Sequence, residues 1–154
     1  MSDHLPPNLS AMERLPQPEP ARPSKTHTLK SAARVLLGST LIGAGISHLT
    51  FARRDFRAQV PESVPLDTDA TVLASGVVEI ALGSALVFAN KEHRAAVGKV
   101  AAAFFVAVFP GNVSQYVNHR SAFGLDTDRK RFGRLFFQPV LVAWALLSTR
   151  DEDA

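Results

Sequence analysis

Five polar side chains of this 154-residue sequence lie inside or beside long apolar stretches, where polar groups are costly. They supply a carboxyl, an imidazole, two amides and a guanidinium, from Glu79, His48, Asn112, Gln138 and Arg134. A carboxyl beside an imidazole can pass a proton or hold a polar head group, and amides can bind a carbonyl or a hydroxyl. We therefore expect Glu79 and His48 to handle protons, and the whole set to bind an amphiphile such as a quinone or a lipid.

Each of these residues also has a structural interpretation. Glu79 can bond a neighbouring helix, and Arg134 can extend to the membrane interface as an anchor. Asn112 can satisfy the carbonyl groups that Pro110 leaves without a donor. A metal site is not predicted, because one histidine and one glutamate are too few ligands. The sequence contains no cysteine, which excludes thiol catalysis and thiolate metal sites within the chain.

The distribution of charge indicates which elements position these groups. Apolar residues make up 46% of the chain and charged residues 20%, averages that would suit a soluble domain. Only three charged side chains, Arg34, Glu79 and Lys99, fall within four apolar stretches, which are 32–51, 70–89, 96–117 and 135–148. A soluble helix of such length needs a wet face that carries several charges. The pattern therefore predicts membrane-spanning helices and argues against a soluble enzyme.

The predicted fold is all-α, a four-transmembrane-helix antiparallel bundle with a disordered N-terminal tail. The Pro-rich tail covers residues 1–28 and an acidic tail covers residues 150–154. Residues 1–28 have no apolar core segment, so no secretory signal is expected. No basic stripe interleaved with aromatic residues occurs, so nucleic acid is not an expected partner. The helices are placed at about 29–51, 70–89, 95–117 and 132–149.

Six further residues are assigned supporting roles. Two prolines stop helices in the first connection, two glycines share a helix face with Glu79, a proline kinks the third helix, and a tryptophan packs near the end of the fourth. In that order they are Pro61, Pro65, Gly76, Gly83, Pro110 and Trp144. Arg34 and Lys99 lie near helix ends, where we expect their charges to reach the interface.

The topology of four spans brings the scattered polar residues together. Four of the five should form a polar cup that opens on the side of the membrane opposite the chain termini; these are His48, Asn112, Arg134 and Gln138. Glu79 should lie deeper, at the floor of the cup. The connection 52–69 is expected to lie at the lipid interface and to form a lid over this cup. Basic residues number nine on the side of the termini and eight on the other side. The positive-inside rule therefore does not orient the bundle.

Several motifs occur in order along these spans. They are GAGISHLTF at 43–51, Val-Pro pairs at 60–61 and 64–65, SGVVEIALG at 75–83, FPGNV at 109–113 and RLFFQPVLVAW at 134–144. Over residues 30–149 the chain resembles the DoxX-like family of small four-helix membrane proteins. The family's G..H, VP, G..E and FP.N signatures match Gly45 and His48, Pro65, Gly76 and Glu79, and Pro110 and Asn112.

The resemblance implies a membrane partner of a redox system. The family is named for a small subunit associated with an archaeal thiosulfate:quinone oxidoreductase, and bacterial members look like partners of redox or oxidative-stress systems. The resemblance also implies a multi-pass protein of a bacterial cytoplasmic membrane, with both termini in the cytoplasm. Some relatives use cysteines, which this chain lacks.

Three functions remain open from the sequence. The first is a redox accessory subunit, not an enzyme on its own, with a quinone as candidate cofactor and with membrane lipid and a redox protein as partners. The second is a non-catalytic interaction or assembly protein, in which the polar groups hold the bundle or a homo-oligomer together. The third is a component of small-solute transport.

Overall fold

The computed structural model describes residues 25–62 and 64–150, and within this part of the chain every regular element is a helix. The helices are α1 Lys25–Leu49, α2 Arg53–Arg57, α3 Thr68–Phe88, α4 Lys91–Val117 and α5 Asp128–Thr149. All except α2 are long and apolar enough to cross a bilayer. The predicted all-α bundle of four spanning helices is thus confirmed. Of the predicted tails, 1–28 and 150–154, residues 1–24 and 151–154 lie outside the described residues, and residues 25–28 belong to α1.

Three of the long helices begin about four residues earlier than the apolar pattern predicts. α1 begins at Lys25 rather than Leu29, and α5 begins at Asp128 rather than Phe132. Local caps explain part of the difference, because the Thr127 side chain accepts a hydrogen bond from the backbone of Lys130. Hydropathy marks the part of a helix that lies in hydrocarbon, and the helix itself continues into the polar region.

A ladder of glycines joins α1 to α3. A Cβ atom placed on Gly45 would lie 2.5 Å from the carbonyl oxygen of Gly76, and one placed on Gly38 would lie 2.6 Å from that of Gly83. The two contacts are seven residues apart on both helices, and the residue number decreases along α1 from the first contact to the second while it increases along α3. The helices are therefore antiparallel, and their backbones touch at two levels where only glycine fits.

A second antiparallel pair, α4 with α5, completes the bundle. Gly98 lies against the side chain of Thr149, and the indole nitrogen of Trp144 donates to the carbonyl oxygen of Ala33 at 3.0 Å, which ties α5 to α1. Pro110 lies within α4 without ending it. The apolar core includes Leu37, Leu41, Leu86, Ala101, Ala102, Phe105 and Ala145.

The bundle has two distinct ends. At the terminal end α1 begins, α5 ends, and residues 89–90 join α3 to α4. At the loop end lie the two longer connections, 50–67 and 118–127, and the first of these contains α2, Pro61 and Pro65. Because α3 has 21 residues, it is about 32 Å long and matches a hydrocarbon core of ~30 Å. Its two ends therefore lie close to the two faces of the hydrocarbon core.

The two basic residues inside the apolar stretches differ from each other. Lys99 is exposed, as expected of a residue that reaches the interface. Arg34 is only 5% exposed, and its guanidinium donates to the carbonyl oxygens of Leu86 and Val87. The charge of Arg34 was expected to reach the membrane interface, and its guanidinium lies at the end of α3, bonded to the free carbonyls of that helix.

Candidate functional site

The centre of the candidate site is a carboxyl–imidazole contact between α1 and α3. His48 Nδ1 lies 3.2 Å from Glu79 Oε2, and the two side chains are 5% and 12% exposed. Glu79 lies eleven residues into α3, about 16 Å from its start and therefore near the middle of a bilayer. Of the two partners that the sequence allowed for Glu79, His48 and Arg134, the structure places His48 beside it.

The glycine ladder explains how these two residues meet. His48 follows Gly45 by three residues, and Glu79 follows Gly76 by three, so each shares a helix face with its glycine. Side chains in a helix lean toward its N-terminus. Since the helices are antiparallel, the imidazole and the carboxyl lean toward each other from opposite sides of the Gly45–Gly76 contact. The G..H and G..E spacings thus place each polar residue on the same helix face as the glycine that contacts the other helix.

The pair leaves hydrogen-bonding capacity unused. Both ring nitrogens of His48 and Glu79 Oε2 are buried and have no hydrogen-bond partner of good geometry, although the ion-pair distance is short. A buried polar atom without a partner costs about 1–3 kcal/mol, more if it is charged. Such groups in a membrane helix are retained for function more often than for stability.

The other glycine contact provides an internal comparison. Leu41 follows Gly38 by three residues and Leu86 follows Gly83 by three, so they occupy the positions equivalent to His48 and Glu79. Leu41 is 4% exposed and Leu86 is fully buried. The same packing arrangement is therefore filled by two leucines at one level and by an imidazole and a carboxyl at the other.

The predicted residues on α4 and α5 form a separate polar chain. Asn112 Nδ2 donates to Gln138 Oε1 at 2.9 Å, and Arg134 Nε donates to Asn112 Oδ1 at 3.2 Å. The amide nitrogen of Gln138 donates to the carbonyl oxygen of Phe105 in the turn before Pro110. Gln138, rather than Asn112, therefore bonds a carbonyl near the proline. These amides largely satisfy one another, which gives them a structural role between α4 and α5.

Aromatic rings join the two polar groups. The ring of Phe56 meets that of His48 edge-on, and its centroid lies 4.5 Å from that of Phe123. The guanidinium of Arg134 lies 5.1 Å from the centroid of Phe123. The five predicted residues thus lie between the middle of the bundle and its loop end, in two clusters with Phe56 and Phe123 between them. Neither ring was predicted as a site residue, since both belong to connections without hydrophobic periodicity.

The first connection closes the loop end over the site. We call residues 53–62 the strap. Phe56 lies on His48, while Gln59 Nε2 donates to Gln115 Oε1 at 2.9 Å. The backbone of Gln59 also lies close to Gly111, where a Cβ atom would be 3.0 Å from its carbonyl oxygen. A lid was predicted for this connection, and the strap occupies that position; Gln115, whose own Nε2 is buried without a partner, was not predicted.

Ion pairs fasten the strap at both ends. At one end Arg53 Nε donates to Asp69 Oδ1 at 2.7 Å, and this hydrogen bond raises the pKa of Arg53. At the other end Arg120 donates to the carbonyl oxygen of Val60 at 3.2 Å and to Glu62 Oε1 at 2.6 Å. These contacts hold the strap on α3 and on the second connection.

The second connection has a constrained backbone. His119 and Phe123 have φ angles of 51° and 55°, in the left-handed region that non-glycine residues rarely adopt. Such a conformation costs on the order of 1–3 kcal/mol and persists only where surrounding contacts hold it. The constrained backbone places the Phe123 ring between Phe56 and Arg134.

The same connection contains Asp126, whose side chain accepts a hydrogen bond from Lys130, and this hydrogen bond lowers the pKa of Asp126.

No three His, Cys, Asp or Glu side chains among residues 25–62 and 64–150 lie close enough together to hold a metal ion. The arrangement at Glu79 and His48 is a buried carboxyl–imidazole pair beneath aromatic rings, with apolar helix surface beside it. It can donate to or accept from one polar head group whose apolar body lies among the helices.

The fold and the site define a class of protein, an all-α bundle of four apolar helices that is compatible with a multi-pass membrane protein. The chain belongs to the family described as Domain of unknown function (DUF8561), whose model matches residues 37–149. The match begins just before the Gly38–Gly83 contact and includes all five predicted site residues. No curated protein and no solved structure gives a significant match.

Proposed function

We propose that this protein is a DoxX-like integral membrane protein that binds a quinone-like or lipid-like amphiphile at His48 and Glu79, as an accessory subunit of a membrane redox system. The observation that carries the proposal is the buried carboxyl–imidazole pair with unpaired polar atoms. A ligand head group that hydrogen-bonds these atoms offsets the cost of burying them unpaired.

The chemistry of a quinone suits this pair. Reduction of a quinone to a quinol takes up two electrons and two protons. A redox partner supplies the electrons, while His48 and Glu79 hydrogen-bond an oxygen of the ring and exchange protons with it. The resemblance to the DoxX-like family supports the redox partner.

The two leucines at the equivalent glycine contact favour a ligand-binding role for His48 and Glu79 over a purely structural one. At Leu41 and Leu86 this helix pair packs without any polar group in the same geometry. Replacement of a buried ion pair by apolar residues is often neutral or stabilising. Packing alone therefore does not require His48 and Glu79.

The membrane and the orientation are part of the proposal. We place the protein in the cytoplasmic membrane of a bacterium with its termini in the cytoplasm, which puts the loop end on the outer face. His48 is level with Leu73 of α3, about 8 Å inside the start of that helix. A ligand head at the pair then lies in the outer half of the bilayer.

The experiment is reconstitution of the purified full-length protein in nanodiscs with a short-tailed benzoquinone. Wild type should bind, while Glu79→Gln and the double variant His48→Leu/Glu79→Leu should bind about tenfold more weakly, because each removes a head-group hydrogen bond. Arg54→Gln, an exposed change in α2, is the matched control. Unchanged affinity in folded variants would show that the pair does not bind quinone.

The chain Asn112–Gln138–Phe105 supports a second candidate, a non-catalytic assembly protein. Its hydrogen bonds link α4 to α5 and leave little capacity for a ligand. If Glu79 serves the same purpose between α1 and α3, Glu79→Gln should reduce the folded yield in membranes without changing any ligand response.

A further inference from the structure

Two arginines converge on the turn between α3 and α4 at the terminal end. The guanidinium of Arg34 donates to the carbonyl oxygens of Leu86 and Val87. Arg94 Nε donates to the carbonyl oxygen of Ala89 at 3.3 Å. The acceptors lie within one helical turn, so two positive charges are held at one place, against the negative end of the α3 dipole.

Neither arginine has a carboxylate partner among residues 25–62 and 64–150. Arg34 Nε is buried and has no hydrogen-bond partner, in a residue that is 5% exposed. Neither terminal amino group of Arg94 has a hydrogen bond within the same residues.

At the loop end three arginines have carboxylate partners, whereas Arg134 bonds Asn112 and lies over the Phe123 ring. There Arg53 pairs with Asp69, Arg120 with Glu62 and Arg131 with Asp128. The backbone carbonyls at the terminal end carry only partial charge and do not neutralise two guanidinium ions. A buried or half-buried cation pair without a carboxylate calls for an external anion.

The depth of the arginines indicates the kind of anion. Arg34 is level with Val87, at the end of the helix that matches the bilayer thickness, and Arg94 lies in the first turn of α4. Both guanidinium groups therefore lie where hydrocarbon meets phosphate groups. Guanidinium donors in a fixed fork match the oxygens of a phosphate.

We propose that Arg34 and Arg94 form a phosphate-binding site at the terminal end, occupied by the phosphate of an anionic phospholipid or by free phosphate. Arg34 donates to the phosphate through its Nε, and Arg94 donates through its two terminal amino groups. The backbone hydrogen bonds to residues 86, 87 and 89 hold both side chains in place before the anion arrives. The site lies at the opposite end of the bundle from His48 and Glu79 and does not depend on quinone binding there.

The test uses the full-length protein, freed of lipid in a maltoside detergent, and native mass spectrometry with three probes. These are a short-chain phosphatidylglycerol, a diacylglycerol with the same chains and no phosphate, and inorganic phosphate as a competitor. Wild type should bind phosphatidylglycerol and not diacylglycerol. Arg94→Gln should bind it about tenfold more weakly, because one charge-assisted contact is lost.

Control variants separate recognition from folding. Arg54→Gln removes an exposed arginine at the loop end and should bind like wild type. Within residues 25–62 and 64–150 Arg94 makes a single long hydrogen bond, so its replacement tests the site even if Arg34→Gln does not fold. Arg34→Lys keeps the charge and should retain part of the binding.

Displacement of the lipid by inorganic phosphate at matched concentration would identify free phosphate as a ligand, whereas lack of displacement would identify the phospholipid. Equal binding of diacylglycerol, or unchanged phosphatidylglycerol affinity in folded Arg94→Gln, would overturn the proposal.

Discussion

His48 Nδ1 lies 3.2 Å from Glu79 Oε2 across the point where Gly45 and Gly76 bring the backbones of α1 and α3 together. The two Cα atoms lie on opposite sides of that contact, about 9 Å apart along the helix axes. Only the lean of each side chain toward its own N-terminus closes this gap. The site therefore depends on the register of α1 and α3 as much as on the two residues.

Enlargement of Gly76 should disrupt the pairing of α1 with α3. A Cβ atom there would lie 2.8 Å from the Cβ of His48 and 2.9 Å from the carbonyl oxygen of Gly45. We expect Gly76→Val to lower the free energy of unfolding by about 1–3 kcal/mol or more. Gly43→Ala is the control, since nothing lies within 4 Å of a Cβ atom at that position. Thermal unfolding in detergent measures both, and equal losses would contradict the glycine ladder.

Replacement of the buried pair by leucines should be tolerated better than the loss of one partner. His48→Leu alone leaves the Glu79 carboxyl buried without its imidazole, and we expect a loss of about 1–3 kcal/mol in the free energy of unfolding. His48→Leu/Glu79→Leu reproduces the pair Leu41–Leu86 and should be close to wild type in stability. A double-mutant cycle from chemical unfolding gives the coupling energy, and additive single effects would show that the two side chains do not interact.

The amide chain between α4 and α5 should behave as a structural link. Gln138→Leu leaves Asn112 Nδ2 buried without its acceptor, so we expect a loss of about 1–3 kcal/mol in the free energy of unfolding. Asn112→Leu/Gln138→Leu should recover part of that loss, because both unpaired amides are removed. Quinone binding by either folded variant should remain near the wild-type value, and its abolition would assign these amides to the ligand.

Release of the strap should expose His48. The natural chain has no cysteine, so the rate at which a maleimide labels the thiol introduced by His48→Cys reports access to that position. Phe56→Ala removes the ring that lies on His48, and we expect at least about tenfold faster labelling, equivalent to a shift of ~1.4 kcal/mol in the opening equilibrium. Arg54→Gln, on the exposed side of α2, should leave the rate unchanged. Identical rates in all three proteins would show that the strap does not cover the site.

Much of the site geometry could not have been read from the sequence. Glu79 had two candidate partners, His48 and Arg134, and the choice between them depends on how α1, α3 and α5 are rotated about their axes. Arg34 was expected to reach the membrane interface, because its distance from the end of the apolar stretch is short. It is buried because the end of α3, far along the chain, presents free carbonyls to it. Phe56 and Phe123 had no periodic pattern to mark them, and their contact joins two connections that are distant in sequence.

The sequence by itself determined the number of spanning helices, their approximate positions and the isolation of one carboxyl group, Glu79, near mid-membrane. These properties follow from the summed hydropathy of consecutive residues, because the free energy of transferring a segment into hydrocarbon depends on that segment's own side chains. Only the tertiary structure decided that His48 meets Glu79, that Asn112 and Gln138 bond each other, and that aromatic rings lie between these two groups. Those outcomes follow from the register of the glycine contacts between α1 and α3 and from the packing of the loop end, and both are relations between segments far apart along the chain.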